Sequence, residues 1–192
     1  MSGFWTKTGD ETVEPKRKFR FLVEVGGLTG AQLWYAKTAD KPSFQISAAE
    51  HKYLNHTFYY PGSVTWQDVS LTLVDPGDPD VALSFSSLVA ESGYRPPASI
   101  ADVVTMSKRK SVEALGTVTV HQLNAAGVQI ESWSLHNAWI TELKYGDLEY
   151  GGDDLTEVTF TLKYDWASLA ASGANDNAES GAQEVFTINS AS

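Results

Sequence analysis

Alternation of apolar and polar residues is the dominant pattern along this chain. It is most regular in residues 156–166, where every second residue is large and apolar and the residues between them are polar. A period of two puts all the apolar side chains on one face of a strand, so this segment is predicted to be a half-buried β-strand. Its candidate core residues are Val158, Phe160, Leu162, Tyr164 and Trp166.

Shorter alternating runs predict more strands of the same kind. Residues 18–25 predict a first strand, and residues 64–75 predict a second one after a turn at Pro61-Gly62. Residues 116–124 and 128–136 are two alternating runs separated by a short Ala-Ala-Gly segment, which indicates a hairpin. The first two runs add five candidate core residues: Phe19, Phe21, Val69, Leu71 and Leu73.

One segment has helical rather than strand periodicity. Asp78-Pro79 has the composition of an N-cap followed by a first helical residue, and apolar residues then recur at helical spacing, with Phe85 as the candidate core residue. Residues 94–111 contain two prolines and a basic triplet and are predicted to form a long exposed loop. The predicted fold class is mainly β: an antiparallel β-sandwich or barrel with one flanking α-helix.

The composition divides the chain into three parts. Residues 1–17 are polar, with Phe4 and Trp5 as isolated anchors, and are predicted to be an N-terminal arm. Residues 18–166 hold the alternating runs and form the predicted β domain. Residues 167–192 are rich in Ala, Ser, Gly and Asn and are predicted to be a flexible C-terminal extension with a possible last strand.

Charge and composition narrow the function. The formal net charge is -10, and residues 111–192 hold 12 acidic residues against only Lys144 and Lys163. An acidic surface repels phosphate, so nucleic-acid binding driven by counterion release is unfavourable, whereas a surface that nucleic acid passes without sticking would need this sign. The N-terminus lacks the apolar run of a signal peptide and no apolar segment is long enough for a membrane anchor, so folding in a cytosol is expected.

No motif predicts chemistry. The chain has no cysteine, its four histidines lack metal-ligand spacing, and no nucleophile elbow is present. We therefore expect no enzyme, no catalytic residue, no cofactor and no metal site. The 6 Trp and 8 Tyr residues leave two interpretations open: a carbohydrate-binding platform or large subunit interfaces.

A family resemblance rests on three segments. Residues 59–75, YYPGSVTWQDVSLTLVD, resemble an early strand of the tail tube proteins of contractile-tailed bacteriophages. The hairpin GTVTVHQLNAAGVQIESWSLHNAWI and a later strand ending in Tyr164-Asp165-Trp166 follow in the order found in that family. The resemblance covers residues 18–166 and extends to the haemolysin-coregulated protein tubes of type VI secretion.

The resemblance implies a structural virion protein, the major tail tube subunit, assembled in the host cytoplasm. Its subunits would form hexameric rings that stack into a tube, whose acidic lumen conducts DNA and which sheath contraction drives through the host envelope. The implied partners are other copies of the chain, the sheath protein, the baseplate or tube initiator and the tail terminator, with DNA passing unbound. The alternatives are a tube initiator or baseplate-junction protein of the same fold, or a carbohydrate-binding β-sandwich module.

Two sets of residues are candidates for these roles. Three basic residues and two aromatic residues are candidates for inter-subunit contacts: Lys108, Arg109, Lys110, Phe4 and Trp5. Polar residues of the hairpin and of the most regular strand are candidates for the lumen: Thr117, Thr119, His121, Gln129, Glu131, Glu157, Thr159 and Thr161.

Overall fold

The fold is seen in a computed structural model that describes residues 15–28, 36–78, 80–97, 105–172 and 182–185. This part of the chain forms eleven strands and two helices. In chain order they are β1 (Phe21–Val25), β2 (Ala36–Ala39), β3 (Phe44–Tyr53), β4 (His56–Trp66), β5 (Val69–Val74), α1 (Val81–Glu91), α2 (Lys108–Leu115), β6 (Val118–Leu123), β7 (Gln129–His136), β8 (Trp139–Tyr145), β9 (Glu157–Lys163), β10 (Trp166–Ser172) and β11 (Ala182–Val185).

The strands form three antiparallel sheets. A five-stranded sheet has the order β1-β6-β7-β10-β11, a four-stranded sheet has the order β2-β5-β9-β8, and β3 pairs only with β4. The two larger sheets contribute to one core, and the prediction of a mainly β, antiparallel sandwich or barrel is confirmed.

The core follows the alternation seen in the sequence. Leu71 on β5 is paired with Phe160 on β9, and both side chains are fully buried. Phe85 of α1 packs on Phe160 with ring centroids 4.5 Å apart. Each such buried side chain stabilises the fold by about 1.5–3 kcal/mol. The other buried candidates are Val69, Leu73, Val158, Leu162 and Tyr164, and Phe21 packs against the cluster from its edge.

Phe19 is not part of this core. Its side chain is 75% exposed, because it lies in the turn that precedes β1 rather than in the strand. The alternation in residues 18–25 therefore predicted the strand but started it too early.

The strand predicted over residues 156–166 breaks at Tyr164-Asp165. β9 ends at Lys163, and the chain crosses to the other sheet, where β10 begins at Trp166. The β7–β8 connection changes sheets at the same corner, and the backbone N–H of Asp165 donates to the carbonyl of His136 at 3.0 Å. Strands that change sheets through bends in this way are typical of sandwich corners.

The corner changes the expected position of Trp166. Ala167, the next residue, is fully buried in the core, so Trp166 points to the opposite face of the five-stranded sheet. There it is half-buried and stacks on His136, with ring centroids 5.0 Å apart. The prediction that Trp166 is a core residue was wrong for this reason.

The C-terminal part of the chain enters the five-stranded sheet. β10 lies between β7 and β11, so the predicted boundary between residues 166 and 167 falls inside a strand. β11 supplies a last strand and pairs with β10.

The helices also differ from the prediction. The N-cap of α1 is Asp80, whose side chain accepts from the backbone N–H of Leu83 at 2.8 Å, instead of Asp78. A second helix, α2, begins after the N-cap Ser107 and includes the triplet that was predicted to lie in a loop. The expectation of a single flanking helix was therefore wrong.

Candidate assembly surfaces

The longest uncovered element is the hairpin of β3 and β4, residues 44–66, which we call the hairpin arm. Its strands have 10 and 11 residues and are joined by a tight turn at Leu54, whose φ is 52°. At about 3.4 Å per residue, the arm is roughly 34 Å long. All of its residues except Trp66 are exposed in the single chain.

The arm is anchored at its base. Phe44 packs edge-on against Trp66, with ring centroids 5.1 Å apart, and Trp66 contacts Tyr164 of the core at 5.9 Å. Burial raises the pKa of the Tyr164 hydroxyl to about 12, so this residue stays neutral as an anchor. The base of the arm is therefore continuous with the core while its outer part is solvated.

Pro61-Gly62 lies within β4 and does not form the predicted turn. The pairing shifts by one residue between Ile46 and Ala48, so Gly62 and Ser63 of β4 form a β-bulge opposite Ser47. At the bulge the backbone N–H of Ser63 donates to Oγ of Ser47 at 3.0 Å. Pro61, which is paired with Ala48, lies directly beside this bulge, where the ladder is locally disrupted.

Large apolar side chains are concentrated on the arm. Both faces of the arm carry large apolar side chains, because directly paired residues share a face. The pair Ile46 and Val64 lies on one face, and the pair His51 and Phe58 lies on the other. A patch of this kind is typical of a protein–protein contact. The exposed large apolar residues of the arm are Phe44, Ile46, Tyr53, Leu54, Phe58, Tyr59, Tyr60 and Val64.

The outer face of the four-stranded sheet is rich in threonine. Thr72 and Thr159 are paired across β5 and β9, with their hydroxyl oxygens 3.1 Å apart. Charged residues around this face occur as ion pairs: Lys37 with Glu157, Lys144 with Glu142 at 3.1 Å, and Lys163 with Asp68 at 3.3 Å. We call this surface the threonine face; its central residues are Thr38, Ser70, Thr72, Thr159 and Thr161.

The outer face of the five-stranded sheet is also polar. Thr119 is paired with Ser134, and His121 with Ser132. Nε2 of His121 lies 3.5 Å from a carboxylate oxygen of Glu24. We call this side of the sheet the serine–histidine face; its residues are Glu24, Thr119, His121, Ser132, Ser134, His136 and Ser168. His121 and Ser132 are buried, so part of this face is already covered within the chain.

The eight lumen candidates lie on three different surfaces. Glu157, Thr159 and Thr161 lie on the threonine face. Thr119 and His121 lie on the serine–histidine face, with Thr117 just before β6. Glu131 projects to the inner side, because the hairpin register pairs it with Gln122 rather than with His121. Gln129 is exposed and lies beyond a register shift, where it is paired with Leu123. Grouping the hairpin residues by polarity therefore combined the two opposite faces of one sheet.

Glu131 is a buried ion-pair centre rather than an exposed acid. Its carboxylate accepts hydrogen bonds from Lys16, from Lys41 at 2.6 Å and from the indole N–H of Trp133 at 2.7 Å. Burial raises the pKa of Glu131, but these three hydrogen bonds outweigh burial and lower the pKa to about 2. The carboxylate joins the segment before β1, the β2–β3 connection and β7.

The basic triplet forms the first turn of α2. Positive charge is unfavourable at a helix N-terminus, and two of the three bases have acidic partners. Lys108 pairs with Asp165 at 2.7 Å, and Arg109 pairs with Glu113 at 2.8 Å. Lys110 is exposed, and the candidates Phe4 and Trp5 lie outside the described residues.

Two functional features, a metal site and a membrane-spanning helix, are not found among the described residues. Within the described ranges, no group of three or more His, Asp or Glu residues is placed to hold a metal ion. The helices in that same part of the chain are too short or too polar to cross a membrane.

Comparison with solved structures identifies the architecture. A chain of the anti-feeding prophage cap, described as a tube-terminating cap, matches with a TM-score of 0.62 at 14% identity, covering 90% of this chain and 100% of that one. A chain of the sheath–tube complex of the extracellular contractile injection system PVC, in the extended state, matches with a TM-score of 0.60 at 16% identity, covering 82% and 92%. This is a tail-tube-like fold. The sheath/tube terminator structure of PVC matches with a TM-score of 0.60 at 18% identity, covering 82% and 98%.

Sequence comparisons add nothing to this result: no family model and no curated protein matches the chain. The tail-tube-like fold confirms the resemblance to tail tube proteins at the level of architecture. The hairpin arm was missed in the sequence because both of its faces carry apolar residues, which hides a period of two. The signal that could have found it is the β-branched and aromatic content on both sides of Leu54-Asn55.

Proposed function

We propose that this chain is the major tail tube subunit of a contractile tail. Its copies form hexameric rings, the rings stack into a tube, and a sheath surrounds the tube and drives it through a host envelope. The assembled tube belongs to a virion and conducts DNA without binding it specifically. The protein has no chemistry of its own and acts through its interfaces.

The hairpin arm is the observation that carries this proposal. It places a strand pair roughly 34 Å long outside the sandwich, and within the described part of the subunit only its base has a packing partner. An arm with apolar side chains on both faces gains stability when a neighbouring copy covers it, at about 25 cal/mol for each Å² of apolar surface removed from water. Neighbouring copies are present on all sides in a stack of rings.

The two polar sheet faces are the candidates for the channel wall, and the threonine face is the more accessible of the two, because His121 and Ser132 of the serine–histidine face are buried. Both faces are rich in hydroxyl groups, which hold no positive charge and so do not supply the ionic contacts that drive non-specific binding of nucleic acid. Glu131 is buried, and Glu157 is paired with Lys37. Most of the negative potential along a DNA path must then come from other acidic residues.

A second role with the same fold is a ring that ends or starts a tube. The similarity to a tube-terminating cap and to a sheath/tube terminator is as strong as the similarity to a sheath–tube complex. A ring of that kind would form once and would not stack on itself, so the length of the assembly separates the two roles.

Shortening the hairpin arm tests the proposal. Residues 47–63 are removed, and Ile46 is joined to Val64 through an Asn-Gly turn, which keeps the anchored base. We expect the monomer to fold with a cooperative unfolding transition like that of the full chain and to associate at least about tenfold more weakly in sedimentation velocity, which corresponds to about 1.4 kcal/mol.

A point variant provides the same test without a deletion. Phe58→Ser with Tyr60→Ser removes two exposed rings from one face of the arm, and Leu83→Ser on α1 removes a similarly exposed side chain elsewhere. The arm variant should lose association and the Leu83→Ser control should keep it. Equal association of the shortened chain and the full chain would remove the basis of the proposal.

A further inference from the structure

A basic turn precedes β1 and is held in place by buried polar groups. Residues 16–20, which we call the basic turn, contain four basic residues around Phe19. The side-chain amide of Gln122, which is only 6% exposed, donates to the carbonyls of Arg17 at 2.7 Å and Arg20 at 2.6 Å. The carboxylate of Glu131 also binds Lys16 of this turn.

The held turn presents an aromatic ring among positive charges. Phe19 is 75% exposed, and the guanidinium of Arg20 lies 5.4 Å from its ring centroid. Arg17 and Lys18, the two residues before Phe19, are also exposed. An exposed apolar ring surrounded by positive charge is typical of a surface that contacts a partner.

A complementary segment connects β8 to β9. Residues 146–156, which we call the acidic loop, contain four acidic residues and no basic ones. Three large apolar side chains on this loop are exposed, and Tyr150 is fully in solvent. The acidic residues are Asp147, Glu149, Asp153 and Asp154, and the other exposed apolar residues are Leu148 and Leu155.

The two segments belong to different sheets. The acidic loop joins β9 at the end away from the corner at Tyr164-Asp165. The basic turn is bound through Glu131, whose neighbour Ala171 lies near the far end of β10. Each segment therefore lies about one strand length, roughly 20 Å, from the corner, along a strand of its own sheet. Among the described ion pairs, none joins the two segments.

We infer that the acidic loop of one copy docks on the basic turn of a second copy, with Tyr150 and Phe19 in the apolar centre of the contact. This inference rests on the proposed function, because it names the partner surfaces for an assembly of identical subunits. A contact between two different patches of the same chain is head-to-tail, and it generates a closed ring or an open stack. Charge complementarity sets its orientation and makes it weaken with salt.

Charge reversal tests the docking through a mixture of variants. Variant A is Arg17→Glu with Lys18→Glu, and variant B is Asp153→Lys with Asp154→Lys. Either variant alone places like charges in the contact, so its association should fall at least about tenfold. In a 1:1 mixture every A–B contact is again complementary, and association should return.

Two controls carry the same charge changes outside the contact. Arg95→Glu with Lys110→Glu matches variant A, and Asp78→Lys with Glu91→Lys matches variant B; all four positions are exposed. Both controls should associate like the unmodified chain in sedimentation velocity at low and high salt. Unchanged association of A and B alone, or a mixture as weak as either variant, would overturn the inference.

A cross-link reports the contact independently of tube formation. The chain has no cysteine, so Phe19→Cys with Tyr150→Cys should give a ladder of disulfide-linked copies under mild oxidation, whereas Phe19→Cys with Leu83→Cys should not. A ladder without rings or tubes would support the docking and contradict the proposed function. Rings or tubes that form equally well from A and B would support the proposed function and contradict the docking.

Discussion

At the scale of residues, Glu131 shows how one carboxylate joins segments that are far apart in sequence. Its partners Lys16 and Lys41 precede it by 115 and 90 positions. A buried charge is costly unless it is paired and hydrogen-bonded, and here both lysines and the Trp133 indole satisfy it. The same contacts fix the basic turn, so the stability of the subunit and the shape of its proposed contact surface depend on one group.

Replacing this carboxylate tests its role. Glu131→Gln should lower the free energy of unfolding by about 1.5–3 kcal/mol at pH 7, since hydrogen bonds to a charged group are lost. The pKa of Glu131 in the folded state, about 2, lies below its ordinary value of 4.5. The contribution is therefore complete above about pH 4.5 and is lost as the pH falls through 2.

Urea unfolding at a series of pH values measures this difference. The gap in stability between the unmodified chain and Glu131→Gln should close as the pH falls from 4.5 towards 2. Glu149→Gln, in the exposed acidic loop, is the matched control and should change stability by less than about 0.5 kcal/mol. Equal stability of Glu131→Gln and the unmodified chain at pH 7 would contradict the ion-pair centre.

At the scale of elements, the corner where β7–β8 and β9–β10 change sheets depends on Asp165. Its carboxylate accepts from Lys108 of α2 and from the side chain of Asn137 at 2.8 Å. Hydrogen bonds from Lys108 and Asn137 keep the pKa of Asp165 below its ordinary value. One side chain thus links both sheet crossings and the start of α2.

Asp165→Ala should destabilise the fold by about 1–2 kcal/mol, because it removes the acceptor of these hydrogen bonds. Asp68→Ala is the matched control: Asp68 forms an exposed ion pair with Lys163, and its loss should cost about 0.5 kcal/mol. Chemical denaturation of the two variants gives both values. A smaller loss for Asp165→Ala than for Asp68→Ala would mean that the corner is held by backbone contacts alone.

The elements also show what the sequence could and could not predict. β5, β9, the β6–β7 hairpin and the core face of α1 follow directly from periodicity, because one face of each is buried. The break at Tyr164-Asp165 could not be seen, since alternation continues through Trp166 while the chain changes sheets. Pro61-Gly62 has the composition of a turn, and only the pairing with β3 shows that it lies at a bulge.

The candidate surfaces were less predictable than the core. Polarity alone could not assign Glu131 to the inner side and His121 to the outer side of one sheet, because the hairpin register decides this. The basic triplet was predicted in a loop, whereas Ser107 caps a helix there. Interfaces between copies depend on a partner chain, and periodicity within one chain carries no information about its neighbours.

At the scale of the whole molecule, the subunit consists of a packed sandwich and surfaces that a single copy leaves uncovered. The hairpin arm, the basic turn and the acidic loop carry the exposed aromatic rings Tyr60, Phe19 and Tyr150. Head-to-tail contacts between such surfaces build rings or filaments, which agrees with the tail-tube-like fold.

Electron microscopy of the concentrated full-length protein tests the central claim most directly. The account predicts six-fold rings with a central channel that stack into tubes, with each hairpin arm covered by a neighbouring copy. Single rings that never stack would favour the capping or initiating role. A protein that stays monomeric at high concentration and low salt, with its arm in solvent, would contradict the claim that this chain is a self-assembling tube subunit.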